Sequence, residues 1–103
     1  MRLWHATAKK NLESIMFQGI KPFLGEIYFA DSAEWAATFI AMRGEHQIVA
    51  FPVDLPIRKI KESFDHNPNF FKCKCYTYNK AIPPRKIDWK HAREWNLPEK
   101  KYG

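Results

Sequence analysis

Three side chains in the first forty residues have types suited to binding chemistry. His5 lies in the block Leu-Trp-His-Ala-Thr at residues 3–7, and Tyr28 lies in the block Gly-Glu-Ile-Tyr-Phe-Ala-Asp at residues 25–31. Phe39 follows Tyr28 by eleven positions. An imidazole can hydrogen-bond a sugar hydroxyl, and aromatic faces stack on flat cationic rings. We take the three residues as candidate ligand contacts.

Each of these residues also has a purely structural interpretation. A single histidine in a strand is often a satisfied structural residue, and a tyrosine in a β-rich segment is often half-buried packing. Phe39 lies four positions after Trp35, which is the spacing of the apolar stripe of an amphipathic helix. The sequence leaves both interpretations open.

The elements that must position these residues alternate between strand and helix. Residues 2–5 predict a short strand, and Thr7 is a candidate N-cap for a helix over residues 8–17 that Gly19 ends. Residues 26–30 predict a second strand. Asp31 and Glu34 resemble a capping box for a second helix that runs to about Met42.

The second half of the chain predicts mostly strands. Residues 47–51 form a continuous apolar run, which is typical of a strand buried on both faces, and residues 70–78 alternate as a further strand. Residues 88–103 are a charged extension with a short helix and a loose tail. The chain therefore predicts one α+β domain over residues 1–103, with its core in residues 2–87.

The two blocks above, with Val-Ala-Phe-Pro-Val-Asp-Leu at residues 49–55 and Ala-Ile-Pro-Pro-Arg-Lys-Ile at residues 81–87, resemble the ADP-ribosyltransferase superfamily. Residues 3–87 are similar to the NAD-binding lobe of the RNA 2′-phosphotransferases, and the first two blocks are similar to the core of the poly(ADP-ribose) polymerases. The resemblance implies a split, mixed β-sheet with two short flanking helices. It also implies NAD as substrate and transfer of one ADP-ribose, a glycosyl transfer, to a macromolecular acceptor, either protein or nucleic acid.

The resemblance also implies roles for particular residues. His5 and Tyr28 would be catalytic, with His5 hydrogen-bonding a ribose hydroxyl and Tyr28 facing the nicotinamide. The Ala6 backbone would hold the carboxamide, Thr7 would be a further cofactor-binding residue, and Phe39 would be a second stacking aromatic. Ala6 replaces the family's glycine and adds one methyl group near the ligand.

One residue of the family pattern is missing. The family's transferases carry a glutamate on a late strand before the proline turn, and here Cys75 or a neighbour stands at that place, with no acidic residue between Asp65 and Asp88. Polymer elongation is therefore excluded by analogy. The sequence leaves two functions open, a minimal mono-ADP-ribosyltransferase and a non-catalytic binding or inhibitor protein on the same fold.

The charge of the chain favours anionic partners. Seventeen Lys and Arg against eleven Asp and Glu give a net charge of +6. A basic run in the last third is interleaved with aromatic residues, and its candidate nucleic-acid contacts are Lys72, Lys74, Tyr76 and Tyr78. The same run is equally explained as a solvated face.

The cysteine content and hydropathy indicate a cytoplasmic protein without a membrane segment. Cys73 and Cys75 cannot form a disulfide framework of the secreted type, and no apolar run is long enough to span a bilayer. A second pair of ligands at zinc-site spacing is missing, so we expect no bound metal.

Overall fold

A computed structural model describes residues 1–64 and 73–98 of the chain. These residues form six strands, two α-helices and short 3₁₀ turns. The strands are β1 (Arg2–Ala8), β2 (Ile27–Ala30), β3 (Gln47–Asp54), β4 (Ile60–Ser63), β5 (Cys75–Tyr78) and β6 (Arg93–Asn96). The helices are α1 (Leu12–Gln18), which a 3₁₀ turn at Lys9–Asn11 precedes, and α2 (Ala33–Ala41). The α+β class with two short helices is confirmed.

The strands form one sheet in the order β4-β5-β2-β1-β3-β6, and every neighbouring pair is antiparallel. Over the described residues the expected mixed sheet is an antiparallel one, because each strand runs opposite to the strand beside it, including neighbours such as β3 and β6 that are not consecutive in the chain. The expected split of the sheet corresponds to the uneven pairing of β1 with its two neighbouring strands. β1 and β3 share seven residue pairs, whereas β1 and β2 share the single pair Trp4–Ala30.

The two faces of the sheet bury separate apolar clusters. The first cluster includes Leu3, Phe29 and Phe51, and Leu12 and Ile15 of α1 pack against it. The second cluster consists mostly of alanines, which come from α2 and from the strands that α2 covers. Trp35 and Phe39 of α2 pack against it. β3 contributes to both clusters because every residue from 48 to 53 is buried, which confirms a strand covered on both faces.

Local capping differs from the sequence prediction at both helices. Thr7 does not cap α1, because it is a buried residue of β1 that pairs with Val49 of β3. Ser32, not Asp31, caps α2, and its Oγ accepts a hydrogen bond from the Trp35 backbone N–H at 3.2 Å. Gly19 ends α1 as predicted, with φ of 79°.

The C-terminal extension is more ordered than expected up to residue 98. A 3₁₀ turn at Trp89–His91 leads into β6, which pairs with β3. Asp88 bonds the Arg2 guanidinium and accepts from His91 Nδ1 at 2.7 Å, and these contacts lower the pKa of Asp88 to about 2. The extension is thereby tied to β1. Residues 65–72 and 99–103 lie outside the described residues, and the first of these segments includes residues 70–72 of the strand predicted over residues 70–78.

No described helix has the length and apolar character needed to cross a bilayer.

Candidate functional site

His5 lies where β1 and β2 separate. It follows Trp4, the last residue of β1 paired with β2, and its Nδ1 is 2.8 Å from the backbone carbonyl oxygen of Tyr28. Because a carbonyl only accepts, Nδ1 must carry the proton and donate. In the neutral ring Nε2 then carries a lone pair and can accept a hydrogen bond from a hydroxyl group.

The surroundings of His5 favour the neutral ring. Its imidazole is 5.6 Å from the ring of Phe29 and 5.7 Å from the ring of Phe51, between centroids. Burial among these rings lowers the pKa of His5, and the positive charge of Arg43 lowers it further, whereas the hydrogen bond to the Tyr28 carbonyl opposes both effects. His5 is therefore an uncharged imidazole with a defined tautomer at neutral pH.

Tyr28 is close to His5 through its backbone, while its side chain is on the other face of the sheet. Ile27 and Phe29 point into the first cluster and Ala30 into the second, so strand alternation places Tyr28 on the α2 face with Ala30. The side chain of Tyr28 is 49% exposed. The His5 ring lies against Phe29 and Phe51 of the first cluster, so the two side chains are on opposite faces of the sheet.

α2 brings Phe39 and a residue that the sequence analysis missed, Arg43, to the same part of the molecule. Phe39 is half-buried and packs against the second cluster, which supports its structural role and leaves part of its ring accessible. Arg43 follows Phe39 by four residues at the end of α2, is exposed, and is near enough to His5 to lower its pKa. No sequence signal indicated it, because Arg43 lies two residues beyond the end of α2 and its position depends on how α2 packs.

Ala6 and Thr7, the other candidate residues of the first block, are buried in β1. Ala6 pairs with Ala50 of β3, and Thr7 pairs with Val49. The Thr7 hydroxyl oxygen accepts a long hydrogen bond, 3.5 Å, from Asn11 Nδ2. Both residues lie beyond the last pair shared with β2, so their β2-facing edge has no strand pair among the described residues.

The described strands beside β2 carry no acidic group close to His5. β5, which pairs with β2, contains Cys75, Tyr76, Thr77 and Tyr78. Glu62 is the acidic residue across from Tyr76, on β4. At about 4.8 Å per strand, β4 is roughly 14 Å from β1. Glu62 therefore cannot share one ribose with His5.

Two of the candidate nucleic-acid residues, Tyr76 and Tyr78, are on one face of β5, and Lys74 directly precedes this strand. Tyr76 and Tyr78 are half-buried against the first cluster, which reduces the ring area available for stacking. Lys74 is exposed, and its backbone N–H donates to Asp31 Oδ2 at 3.1 Å. Lys72 lies outside the described residues.

The two cysteines are poor candidates for nucleophilic chemistry. Their sulfur atoms are 3.8 Å apart and form no disulfide. Burial raises the pKa of both thiols, and that of Cys75 to about 12. A protonated thiol is neither a nucleophile nor a metal ligand. Within residues 1–64 and 73–98, no three His, Cys, Asp or Glu side chains are grouped as a metal site would require.

A comparison with protein-family models finds none that matches this chain, and a comparison with curated proteins finds no match either.

Proposed function

We propose that the protein binds NAD at the point where β1 and β2 separate and transfers a single ADP-ribose to a macromolecular acceptor in the cytoplasm. The observation that carries this proposal is the state of His5. A neutral imidazole whose Nδ1 is held by the Tyr28 carbonyl presents Nε2 as an acceptor for a ribose hydroxyl. The ordered resemblance of the sequence blocks supplies the identity of the ligand.

Other groups near His5 have chemistry that suits the rest of NAD. The exposed ring of Tyr28 offers a face to the cationic nicotinamide, and Phe39 offers a second aromatic surface. The Arg43 guanidinium can pair with the diphosphate. Ala6 and Thr7 lie on the stretch of β1 that has no β2 partner, where a strand edge can bond a carboxamide.

The reaction would use these groups by stabilising a developing positive charge. Cleavage of the nicotinamide–ribose bond passes through an oxocarbenium-like state, for which His5 would orient the ribose and Tyr28 would place an aromatic face beside the cationic ring. Among the described strands on the β2 side of His5, no carboxylate is close enough to stabilise that state. We expect slow transfer of one unit.

The missing acid favours a second candidate, a non-catalytic protein that binds a partner on the same fold. Incubation with NAD labelled in its adenylate part, together with cell extract, separates the two. We expect label to appear on a macromolecule with the wild-type protein and with His46→Ala, a histidine control, and to be lost with His5→Ala. NAD binding without any label transfer would instead establish the non-catalytic alternative.

A further inference from the structure

A polar pocket of about 210 Å³ lies where the start of β2 meets β4 and β5. Its lining residues are Gly25, Glu26, Lys59, Lys61, Thr77 and Asn79. Tyr28, Thr77 and Lys61 are successive partners across β2, β5 and β4. The pocket is therefore a feature of the sheet edge, separate from His5.

Thr77 is the buried polar residue of this pocket. It is only 6% exposed, and its hydroxyl makes no hydrogen bond to another group of the described residues. Buried hydroxyl groups nearly always have a partner because an unsatisfied one is costly. Since Thr77 lines the pocket, that partner can be a molecule bound there.

The charges around Thr77 favour an anion. Lys59 and Lys61 are exposed and make no ion pair within residues 1–64 and 73–98. Glu26 is the single carboxylate of the lining, so the pocket has a net charge of +1, and the Asn79 amide adds donors. Gly25 has no atom within 4 Å of where a Cβ would stand, so a ligand can approach its backbone.

We propose that this pocket binds a phosphate group, either inorganic phosphate or the end of a phosphate monoester. Its volume is below the roughly 300–1,000 Å³ of pockets that enclose drug-sized ligands. Two ammonium groups, a hydroxyl and an amide are the donors that phosphate oxygens accept from. The proposal does not depend on NAD, because none of the lining residues contacts His5 in the structure.

The test is an NMR titration of the ¹⁵N-labelled protein, without NAD, using sodium phosphate and separately AMP, each at constant ionic strength maintained with sodium chloride. We expect saturable shifts of the Gly25, Thr77 and Asn79 amides. Tighter binding of AMP identifies a monoester site, and equal affinity identifies a site for phosphate alone. Absence of saturable shifts at these amides with both ligands overturns the proposal.

Three variants and a control assign the contacts. Thr77→Val removes the hydroxyl at nearly constant volume and is expected to raise Kd about tenfold, since a hydrogen bond to a charged group has about that effect. Lys61→Gln should also raise Kd, and Glu26→Gln should lower it. Lys21→Gln removes one positive charge outside the pocket and should leave Kd unchanged. If Lys21→Gln weakens binding as much as Lys61→Gln, the effect is one of net charge and the proposal is wrong.

Discussion

At the scale of single residues, His5 connects the sheet to the proposed chemistry. Its ring fills the place where β1 and β2 cease to pair, and its tautomer is set by one backbone carbonyl. Because burial in the folded protein lowers the pKa of His5, its protonation contributes a measurable pH dependence to stability.

Stability should fall as the pH drops below about 6.5, in part because of His5. Its pKa in the folded state is lowered from 6.5, so between the two values the unfolded chain binds the proton more tightly. The contribution of the neutral ring is therefore fully present above pH 6.5 and is lost as the pH falls towards the folded-state pKa. Urea unfolding from pH 5 to 8 measures the slope.

His5→Asn is the matched variant for this measurement. The asparagine amide can still donate to the Tyr28 carbonyl but does not titrate. We expect a flatter dependence of unfolding free energy on pH in this window than in the wild type. Identical slopes for the two proteins would show that His5 keeps its ordinary pKa on folding.

At the scale of secondary-structure elements, α1 depends on Gly19, the residue that follows it. Gly19 adopts φ of 79°, and a Cβ built there would be 2.1 Å from the Ile82 carbonyl oxygen. That carbonyl accepts the Ile20 N–H at 2.8 Å, and the Ile82 N–H returns the bond to the Ile20 carbonyl. This two-way bridge fixes the end of α1 against the segment that follows β5.

Gly19→Ala should destabilise the protein by at least about 2 kcal/mol, because a strained φ is combined with a clash against backbone. Gly44→Ala is the control. Gly44 also has a positive φ, 93°, but nothing within 4 Å of its Cβ position, so its cost should be about 1 kcal/mol from strain alone. Thermal unfolding measures both. Equal losses of stability would mean that the approach of Ile82 to Gly19 has no energetic effect.

The elements that local signals specify could be predicted from the sequence. β2, α2 and the buried β3 lie within a few residues of their predicted bounds because apolar periodicity and glycine positions define them. β6 and the extension of β1 to Ala8 depend on long-range pairing with β3, which no local signal reveals. For the same reason Thr7 is a strand residue and not a helix cap.

The candidate site was predictable only in part. Local sequence patterns could place His5 and Tyr28 on their strands. They could not show that the two residues are adjacent in space, because the pairing of β1 with β2 is a tertiary feature. Within α1, Leu12 and Ile15 pack against the first cluster, whereas Met16, which follows them on the same side of the helix, is exposed. Arg43 was missed because its closeness to His5 depends on how α2 packs.

At the scale of the whole molecule, the net charge of +6 predicts salt-dependent binding if nucleic acid is the acceptor. Lys74 is a suitable probe because its side chain is exposed. For a single-stranded RNA, the log–log slope of affinity against salt should be about −0.7 per phosphate contact. Lys74→Gln should make this slope shallower by about 0.7, the contribution of one phosphate contact, whereas Lys21→Gln should leave the slope unchanged.

Fluorescence anisotropy between 50 and 200 mM salt, the range in which such contacts are readily resolved, measures these slopes. If the RNA does not bind at low salt, the basic run is a solvated face. The same conclusion follows if Lys74→Gln and Lys21→Gln change the slope equally.

Calorimetric titration of NAD into the purified protein tests the central claim most directly, with His5→Asn and His46→Ala titrated in parallel. We expect saturable binding to the wild type and to His46→Ala at pH 7.5. His5→Asn should bind about tenfold more weakly, because it retains the bond to the Tyr28 carbonyl but lacks the Nε2 acceptor. No heat of binding with the wild type, or equal affinity for wild type and His5→Asn, would contradict the account of His5 as the ribose contact.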